Sequence, residues 1–418
     1  GAFFSPLICG SFTDFKYGFL AAAIGMILSL ISFEVLKNKH LKGPDGSDLG
    51  MPVAPLDMKT GLSIVGSILA IFALLNYNTI VGLFLNAGAI ADSNSWSHMI
   101  ANLDVVAYLI YISLIVMPLL ILTDKSLTKD ERERIIVIFI LAFFVIFFWA
   151  CFEQAGASLT LFADQQVDRA IDINISAYVI AAVYGIIIYF LANALGWFFE
   201  WTSKIVRIIQ VVGVLAIIAL TAFGSIADIH LSEFPSPWFQ SVNPLAIIIL
   251  APFFTVMWGK LAKLNMEPSS PLKMALGLAL VALGYVIIAF AVNGISPSTK
   301  IAMFWLFALY IVHTMGELCL SPIGLSMVSK LAPVRLSSLL MGTWFLANAV
   351  ANKFAGTLSA LIPPGAGEEV STEIPSILGI QINNLFIFFC VFIVLSGAAS
   401  LILLALYRKL IKMMHGVN

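Results

Sequence analysis

Long apolar runs separated by short polar connections dominate this sequence. Each full run holds about 20 mostly apolar residues, the length that an α-helix needs to cross the hydrocarbon core of a bilayer. A membrane barrel would instead show runs of about ten residues with alternating polarity. The pattern predicts a partial segment and eleven spans, at 1–10, 17–36, 61–85, 103–123, 135–161, 175–196, 205–227, 243–262, 272–294, 301–329, 336–362 and 383–407.

The connections alternate between those rich in Lys and Arg and those poor in them. The connection before residue 135 carries Lys125, Lys129, Arg132 and Arg134, whereas 86–102 carries none. Connections rich in positive charge stay in the cytoplasm. The unbroken alternation supports the span count and places the basic connections inside the cell.

Composition agrees with a membrane protein and excludes several other classes. Hydrophobic residues make up 61% of the 418-residue chain, charged residues make up 11%, and the mean hydropathy is +1.02. A soluble protein has about 45–50% apolar and about 25% charged residues, so a soluble enzyme and a disordered protein are excluded. The net charge of −1 offers no positive field to nucleic acid. The sequence shows no nucleotide, metal or nucleophile motif, and we expect neither an enzyme nor a cofactor.

Two longer connections and the first residues complete the organisation. Residues 37–60 are rich in Gly and Pro, which indicates a cytoplasmic linker, and 363–381 indicates an exposed external loop. The chain opens on apolar residues without a charged leader. We therefore expect 1–10 to be the end of a membrane helix, and the chain to be the C-terminal portion of a longer protein.

Ionisable groups at membrane depth are costly and are therefore functional candidates. Glu153 lies within the run 135–161, and Trp149 is four residues earlier on the same helical face. A carboxyl group in apolar surroundings can take up and release a proton near neutral pH. The alternative is a structural carboxylate that only bonds a neighbouring helix.

Glu317 is the second such group. It lies about 20 Å from the cytoplasmic end of its run, which is near the bilayer middle, counting from Lys330 at helical rise. Ser321 shares its helical face, and Pro322 frees a backbone carbonyl. A carboxylate at this depth could hold a substrate ammonium group. The alternative is a hydrogen bond between helices.

Several other residues have structural explanations that compete with functional ones. Asn243 precedes Pro244 at the start of a span, which is typical of a helix cap. Trp344 lies deep in its run, where lining a cavity and packing are equally reasonable. Lys353, near the outer interface, is expected to snorkel, and His313 is expected to be a hydrogen-bonded packing group.

Four ordered sequence blocks resemble proton-dependent oligopeptide transporters, the POT/PTR family of the major facilitator superfamily. They resemble that family's seventh, eighth, tenth and eleventh helices, and the opening residues resemble the fifth. The blocks are 148–154 (FWACFEQ) with 158–164 (SLTLFAD), 239–244 (FQSVNP), 316–325 (GELCLSPIGL) and 341–348 (MGTWFLAN).

The resemblance implies an all-α polytopic membrane protein with a major facilitator-like fold. It implies the end of the N-terminal bundle, helices 5–6, at 1–36, the linker at 37–60 and an extra helix pair at 61–134. The C-terminal six-helix bundle would occupy 135–412. A two-helix insertion at about 171–232 departs from the family pattern but preserves the topology, because it adds an even number of spans. The family's first-helix ExxER signature is absent from this chain.

The resemblance also implies roles for the candidate residues. Glu153 would exchange the proton and pair with a basic residue of the N-terminal bundle, Glu317 would bind the peptide amino terminus, and Asn243 would contact the peptide backbone. Side-chain pockets would be lined by Trp149, Ser321 and Trp344.

We therefore expect a monomeric, proton-coupled symporter that carries di- and tripeptides across the inner (plasma) membrane by alternating access. Its partners would be small peptides, protons and membrane lipids, but not nucleic acid. Two alternatives stay open: a carrier of another small solute or anion in the same superfamily, and a transporter-derived sensor or scaffold. Glu317 argues against an anion carrier because a carboxylate repels anions, and the insertion is the only support for a sensor.

Overall fold

The structure is a computed structural model. It describes residues 15–40, 57–84, 96–198, 201–296, 299–363, 374–377 and 379–417. Within these residues, ten segments are helical, long and apolar enough to cross a membrane. They confirm ten of the predicted spans, and the predicted span 17–36 is also helical. The predicted partial segment 1–10 lies outside the described residues.

The helices, in chain order, are α1 (Phe15–His40), α2 (Met58–Leu75), α3 (Tyr77–Phe84), α4 (Trp96–Ala101), α5 (Val105–Leu122), α6 (Lys129–Phe152), α7 (Ser158–Gln166), α8 (Ala177–Phe198), α9 (Ser203–Ala222), α10 (Val242–Lys263), α11 (Ser270–Val292), α12 (Met303–Leu331), α13 (Ser337–Ser359) and α14 (Leu385–Met413). Short 3-10 helices cover Glu153–Gly156, Ser236–Ser241 and Val334–Leu336. The short strands are β1 (Val167–Asp168), β2 (Ala170–Ile175), β3 (Ile229–Glu233), β4 (Ile301–Ala302), β5 (Ser376–Ile377) and β6 (Ile380–Gln381).

The secondary structure also contains details that were not predicted from the sequence. The span 61–85 is interrupted at Asn76, where α2 ends and whose side-chain amide donates to the carbonyl of Phe72. The connections on either side of the insertion, expected to be loops, contain β2 and β3, which pair antiparallel. The predicted linker 37–60 and external loop 363–381 lie only partly within the described residues.

The described residues form two compact units. The first comprises those within 1–51 and 168–241, and it contains the α8–α9 hairpin. Its two helices pack closely because glycines leave room for branched side chains: a Cβ at Gly213 would lie 2.7 Å from a methyl carbon of Ile188. Most apolar side chains of this hairpin are exposed, as expected where lipid replaces water as the solvent.

The second unit comprises the described residues within 52–167 and 242–417, and it holds most of the buried core. That core lies between α6, α11, α12, α13 and α14. One close backbone contact within it joins α11 to α12. A Cβ at Gly277 would lie 2.8 Å from the carbonyl oxygen of Gly316, and a Cβ at Gly316 would lie equally close to the carbonyl of Gly277. Two glycines therefore let these backbones touch directly beside Glu317.

Candidate functional site

The helix that carries Glu153 is interrupted at that residue. Helix α6 ends at Phe152, a 3-10 turn covers Glu153–Gly156, and α7 begins at Ser158. The run 135–161 is a membrane span as predicted, but the sequence pattern did not reveal this break. Tight 3-10 turns inside a helix often mark functional positions, because the local backbone departs from regular hydrogen bonding.

Trp149 and Glu153 form one half-buried patch on this segment. Trp149 packs edge-to-face against Phe152, with ring centroids 5.3 Å apart. From the spacing of four residues we expect the indole of Trp149 to lie on the same side of the helix as the carboxyl group. Within the described residues, no basic side chain lies near enough to Glu153 to pair with it.

Glu317 and Asn243 are brought together by α12 and α10. The side-chain amide of Asn243 donates to a carboxylate oxygen of Glu317 at 2.8 Å and to the hydroxyl of Thr314 at 3.0 Å. Thr314 in turn donates to the carbonyl of Tyr310 on its own helix at 2.8 Å. The carboxylate keeps further acceptor capacity, because one of its oxygens has no partner in this set.

This contact corrects the capping interpretation of Asn243. Helix α10 begins at Val242, so Asn243 lies within its first turn, and its side chain reaches across to α12. The structure thus shows the hydrogen bond between helices that was one alternative for Glu317. A half-buried carboxylate with one amide partner can still accept a cationic donor.

The two acids lie within electrostatic range of each other. Both are half-buried, and the negative charge of Glu317 acts on Glu153. Two carboxylates that share a poorly solvated site favour protonation of one of them or binding of a cation between them. The patch therefore has the chemistry to exchange a proton and to hold an ammonium group.

Ser321 and Trp344 differ in accessibility. Ser321 is half-buried on α12, one turn beyond Glu317. Trp344 is only 3% exposed, and its ring lies against Gly324, where an added Cβ would be 2.5 Å from the Cζ2 atom. Trp344 therefore packs α13 against α12, and its role in substrate binding stays a prediction.

The structure also shows the contacts of Lys353 and His313. Lys353 does not snorkel alone, because its ammonium group contacts the carboxylate of Asp104, which also caps α5. Hydrogen bonding to Lys353 is the main reason that the pKa of Asp104 is held below its ordinary value. His313 is buried, and a ring nitrogen lies 3.1 Å from the carbonyl oxygen of Val281, as expected for a packing group.

A cavity of about 640 Å³ lies between α10, α11 and α12 towards their basic, predicted cytoplasmic ends. The nearly buried Lys273 lies there, with its nitrogen 4.8 Å from the ring centroid of Trp258 and in contact with Glu267. Leu318 and Pro322, which flank Glu317 and Ser321 in the sequence, line its wall. The cavity thus adjoins the acid-bearing stretch of α12 from the cytoplasmic side.

Sequence reasoning missed two residues of this region. Thr314 lies three residues before Glu317, so helical spacing could have placed both on one face. Gln154 follows Glu153 directly and is completely buried. A glutamine beside a candidate acid in an apolar run was a usable signal, since a buried amide must find partners.

The comparisons with known proteins agree on one family. A family model described as "POT family" matches residues 1–211 and 218–368. The curated "Peptide transporter YePEPT" of Yersinia enterocolitica is 27% identical over 371 residues, which covers 86% of this chain and 58% of that protein. The "Di-/tripeptide transporter" of Lactococcus lactis subsp. cremoris is 25% identical over 426 residues, which covers 100% of this chain and 67% of that protein.

Solved structures give the same result. A crystal structure of a peptide transporter POT in complex with sulfate is 28% identical, with a TM-score of 0.61, and the match covers 99% of this chain and 66% of that one. A POT family transporter in complex with a thioalcohol-conjugated peptide is 25% identical, with a TM-score of 0.62. The chain thus spans less than two thirds of these two solved chains.

Proposed function

The chain belongs to the POT family, as a multi-pass protein of the plasma membrane, and from this premise we propose that it serves proton-coupled symport of di- and tripeptides by alternating access. Its substrates would be small peptides and protons, and it would act as a monomer surrounded by membrane lipids. Relatives that are transporters rather than enzymes support the expectation of a non-enzyme.

One observation carries the proposal: Asn243 donates a hydrogen bond to the half-buried Glu317, whose charge acts on the half-buried Glu153. A peptide with a free amino terminus presents an ammonium group next to an amide. Glu317 can accept a charge-assisted hydrogen bond from that ammonium group. Asn243, which already donates to Glu317, would contact the neighbouring peptide amide.

Glu153 is the proposed proton carrier. Its carboxyl group is half-buried and, among the described residues, has no ion-pair partner. Taking up a proton there removes the repulsion from Glu317, and losing it restores that repulsion. A ligand or proton that binds one conformation better than another shifts the population towards it. Proton binding at Glu153 can therefore bias the alternation between outward and inward states.

We assign the remaining residues to the substrate side chains. Trp149 and Ser321 are half-buried beside the acids and would line pockets that tolerate different side chains. Trp344, which packs against Gly324, would shape such a pocket from behind α12. Apolar walls with few polar groups are typical of small-molecule sites that accept varied substituents.

The test is uptake of a labelled dipeptide by the full-length protein in lipid vesicles with an imposed pH gradient. One proton per peptide supports about tenfold accumulation per pH unit, because about 1.4 kcal/mol corresponds to a factor of ten. Glu153→Gln should abolish this accumulation but keep dipeptide exchange at equal pH. The matched control is Glu233→Gln. The Glu233 side chain is 64% exposed and pairs with Arg169 at 3.5 Å, and Arg169 keeps its hydrogen bond to the carbonyl of Phe234, so the variant should behave like the wild type.

Uptake that ignores the gradient in the wild type and survives Glu153→Gln would reject proton coupling. Binding of an acid that lacks an amine, with no binding of unblocked dipeptides, would instead favour a carrier of another solute. Binding of dipeptide without any exchange would favour a sensor or scaffold.

A further inference from the structure

The interruption between α6 and α7 creates a specific structural problem. A break in a helix leaves backbone carbonyl groups without their usual partners. In the apolar membrane interior water does not replace those partners, so each unsatisfied group is destabilising. Ala157, with φ −126° and ψ −102°, departs from helical geometry and separates the two helices. The segment that carries Glu153 can therefore persist only if other groups bond its carbonyls.

Gln154, which lies within the interrupted segment, bonds one of the backbone carbonyls near the break. Its side-chain nitrogen donates to the carbonyl of Ala150 at 3.0 Å and to the carbonyl of Ala355 on α13, also at 3.0 Å. Its side-chain oxygen accepts a hydrogen bond from the hydroxyl of Ser158 at 2.5 Å. One buried amide thus joins the end of α6, the start of α7 and the neighbouring helix α13.

Tyr285 on α11 bonds a second backbone carbonyl near the interruption. Its hydroxyl donates to the carbonyl of Cys151 at 2.7 Å, two residues before Glu153. The tyrosine is fully buried, and its ring stacks on Phe392 with centroids 4.8 Å apart and planes 19° apart. The ring also lies 4.9 Å from that of His313. Such close aromatic packing fixes where the hydroxyl group points.

The third carbonyl, that of Ala155, is bonded more locally. It accepts from the hydroxyl of Thr160 at 2.8 Å, whereas the hydroxyl of Tyr310 on α12 lies 3.4 Å away. A separation of 3.4 Å is too long for a good hydrogen bond between oxygens. Tyr310 therefore faces the same interruption as Tyr285, in a comparably buried position, but without a strong bond to it.

We infer that Tyr285 and Gln154 are positioning residues that hold the interrupted segment and thereby direct the carboxyl group of Glu153 towards Glu317. This inference rests on the proposed function of Glu153 and names the residues that make its placement possible. The described titratable groups around the segment are Glu317, Tyr310 and His313 on α12, Tyr285 on α11 and Cys151 on α6.

The experiment compares Tyr285→Phe with Tyr310→Phe in the full-length protein. Each variant removes one buried hydroxyl and keeps its ring, but only Tyr285→Phe removes a short bond to the segment. We expect Tyr285→Phe to displace the pH of half-maximal dipeptide uptake by about half a unit, which is about a threefold change in apparent proton affinity. Tyr310→Phe should leave that pH unchanged. A purely structural role would lower the yield or maximal rate of Tyr285→Phe without displacing its pH profile.

A second readout does not depend on transport. The carbonyl stretch of protonated Glu153, identified in infrared difference spectra by its loss in Glu153→Gln, should shift in Tyr285→Phe and not in Tyr310→Phe.

If Tyr285→Phe does not fold, Gln154→Met takes its place, because it keeps the side-chain volume and removes the three bonds. A band and a pH profile that match the wild type in the folded variant would overturn the inference while leaving the proposed function intact. A wild type that ignores the gradient would instead reject the proposed function, and the band shift would still test the inference.

Discussion

At the scale of single residues, Asn243 shows how tertiary contacts override a local rule. Its amide donates to Glu317 on another helix, so its replacement changes the surroundings of Glu317 and not the helix start. We predict that Asn243→Asp weakens dipeptide binding by about 10- to 100-fold, since a hydrogen bond to a charged group contributes about 1.5–3 kcal/mol and the new carboxylate repels Glu317. Titration calorimetry on the full-length protein measures this change.

The matched control for that prediction is Asn352→Asp. In the described part of the chain, the Asn352 amide donates only to the carbonyl of Asn348 on its own helix, and the side chain is exposed. It should bind dipeptide like the wild type. Equal affinity in Asn243→Asp and the wild type would show that Asn243 does not support the ammonium site.

The sequence predicted the acids of the site but not their partners. Glu153 and Glu317 were recognisable because a charge in an apolar run is rare and costly. Trp149 followed from a spacing of four residues. The bond of Asn243 to Glu317 joins positions 74 residues apart, and only the packing of α10 on α12 brings them together. The local sequence pattern carries no information about contacts between residues so far apart in the sequence.

At the scale of elements, the α11–α12 contact sets the position of Glu317. Gly316 precedes that residue, and a Cβ there would lie 2.8 Å from the carbonyl oxygen of Gly277, so the backbones must move apart. We predict that Gly316→Ala lowers stability by about 1–3 kcal/mol, as overpacking in a core does. It should also weaken dipeptide binding, because α12 carries Glu317. Thermal unfolding and calorimetry measure the two effects.

Gly342→Ala on α13 provides the comparison. Among the residues that the structure describes, nothing lies within 4 Å of a Cβ at that position, so the substitution should leave both the melting temperature and the affinity close to those of the wild type. The sequence shows a glycine at position 316, but it does not show why a glycine is required there. Only the observed approach of Gly277 shows that no side chain fits there.

At the scale of the whole molecule, hydropathy and charge predicted the spans well. Lipid requires long, internally bonded helices, so span length and the Lys and Arg of the connections show directly in the sequence. The breaks at Asn76 and Glu153 were not predicted, because hydropathy does not register a change of backbone geometry within an apolar run. The β2–β3 ribbon was missed for a similar reason, since its short strands carry mixed polarity.

We predict that the segment 170–233, whose ends the β2–β3 ribbon brings together, can be removed as a unit. The amide of Phe234 donates to the carbonyl of Arg169 at 2.8 Å, and Ala170 pairs with Glu233 in the ladder beyond. An Asn-Gly turn in place of 170–233 can therefore join two residues that are already neighbours, because this dipeptide forms tight antiparallel hairpins. We predict normal membrane insertion and dipeptide affinity within about threefold of the wild type, as at other tolerant surface sites.

Removal of α9 alone, residues 203–222, should have the opposite outcome. It takes away an odd number of spans, so every later connection would have to change sides against the charge rule. Yield and dipeptide binding should then both be lost. Loss of binding after the 170–233 replacement, in protein that still inserts and folds, would instead show that the α8–α9 hairpin contributes to the substrate site.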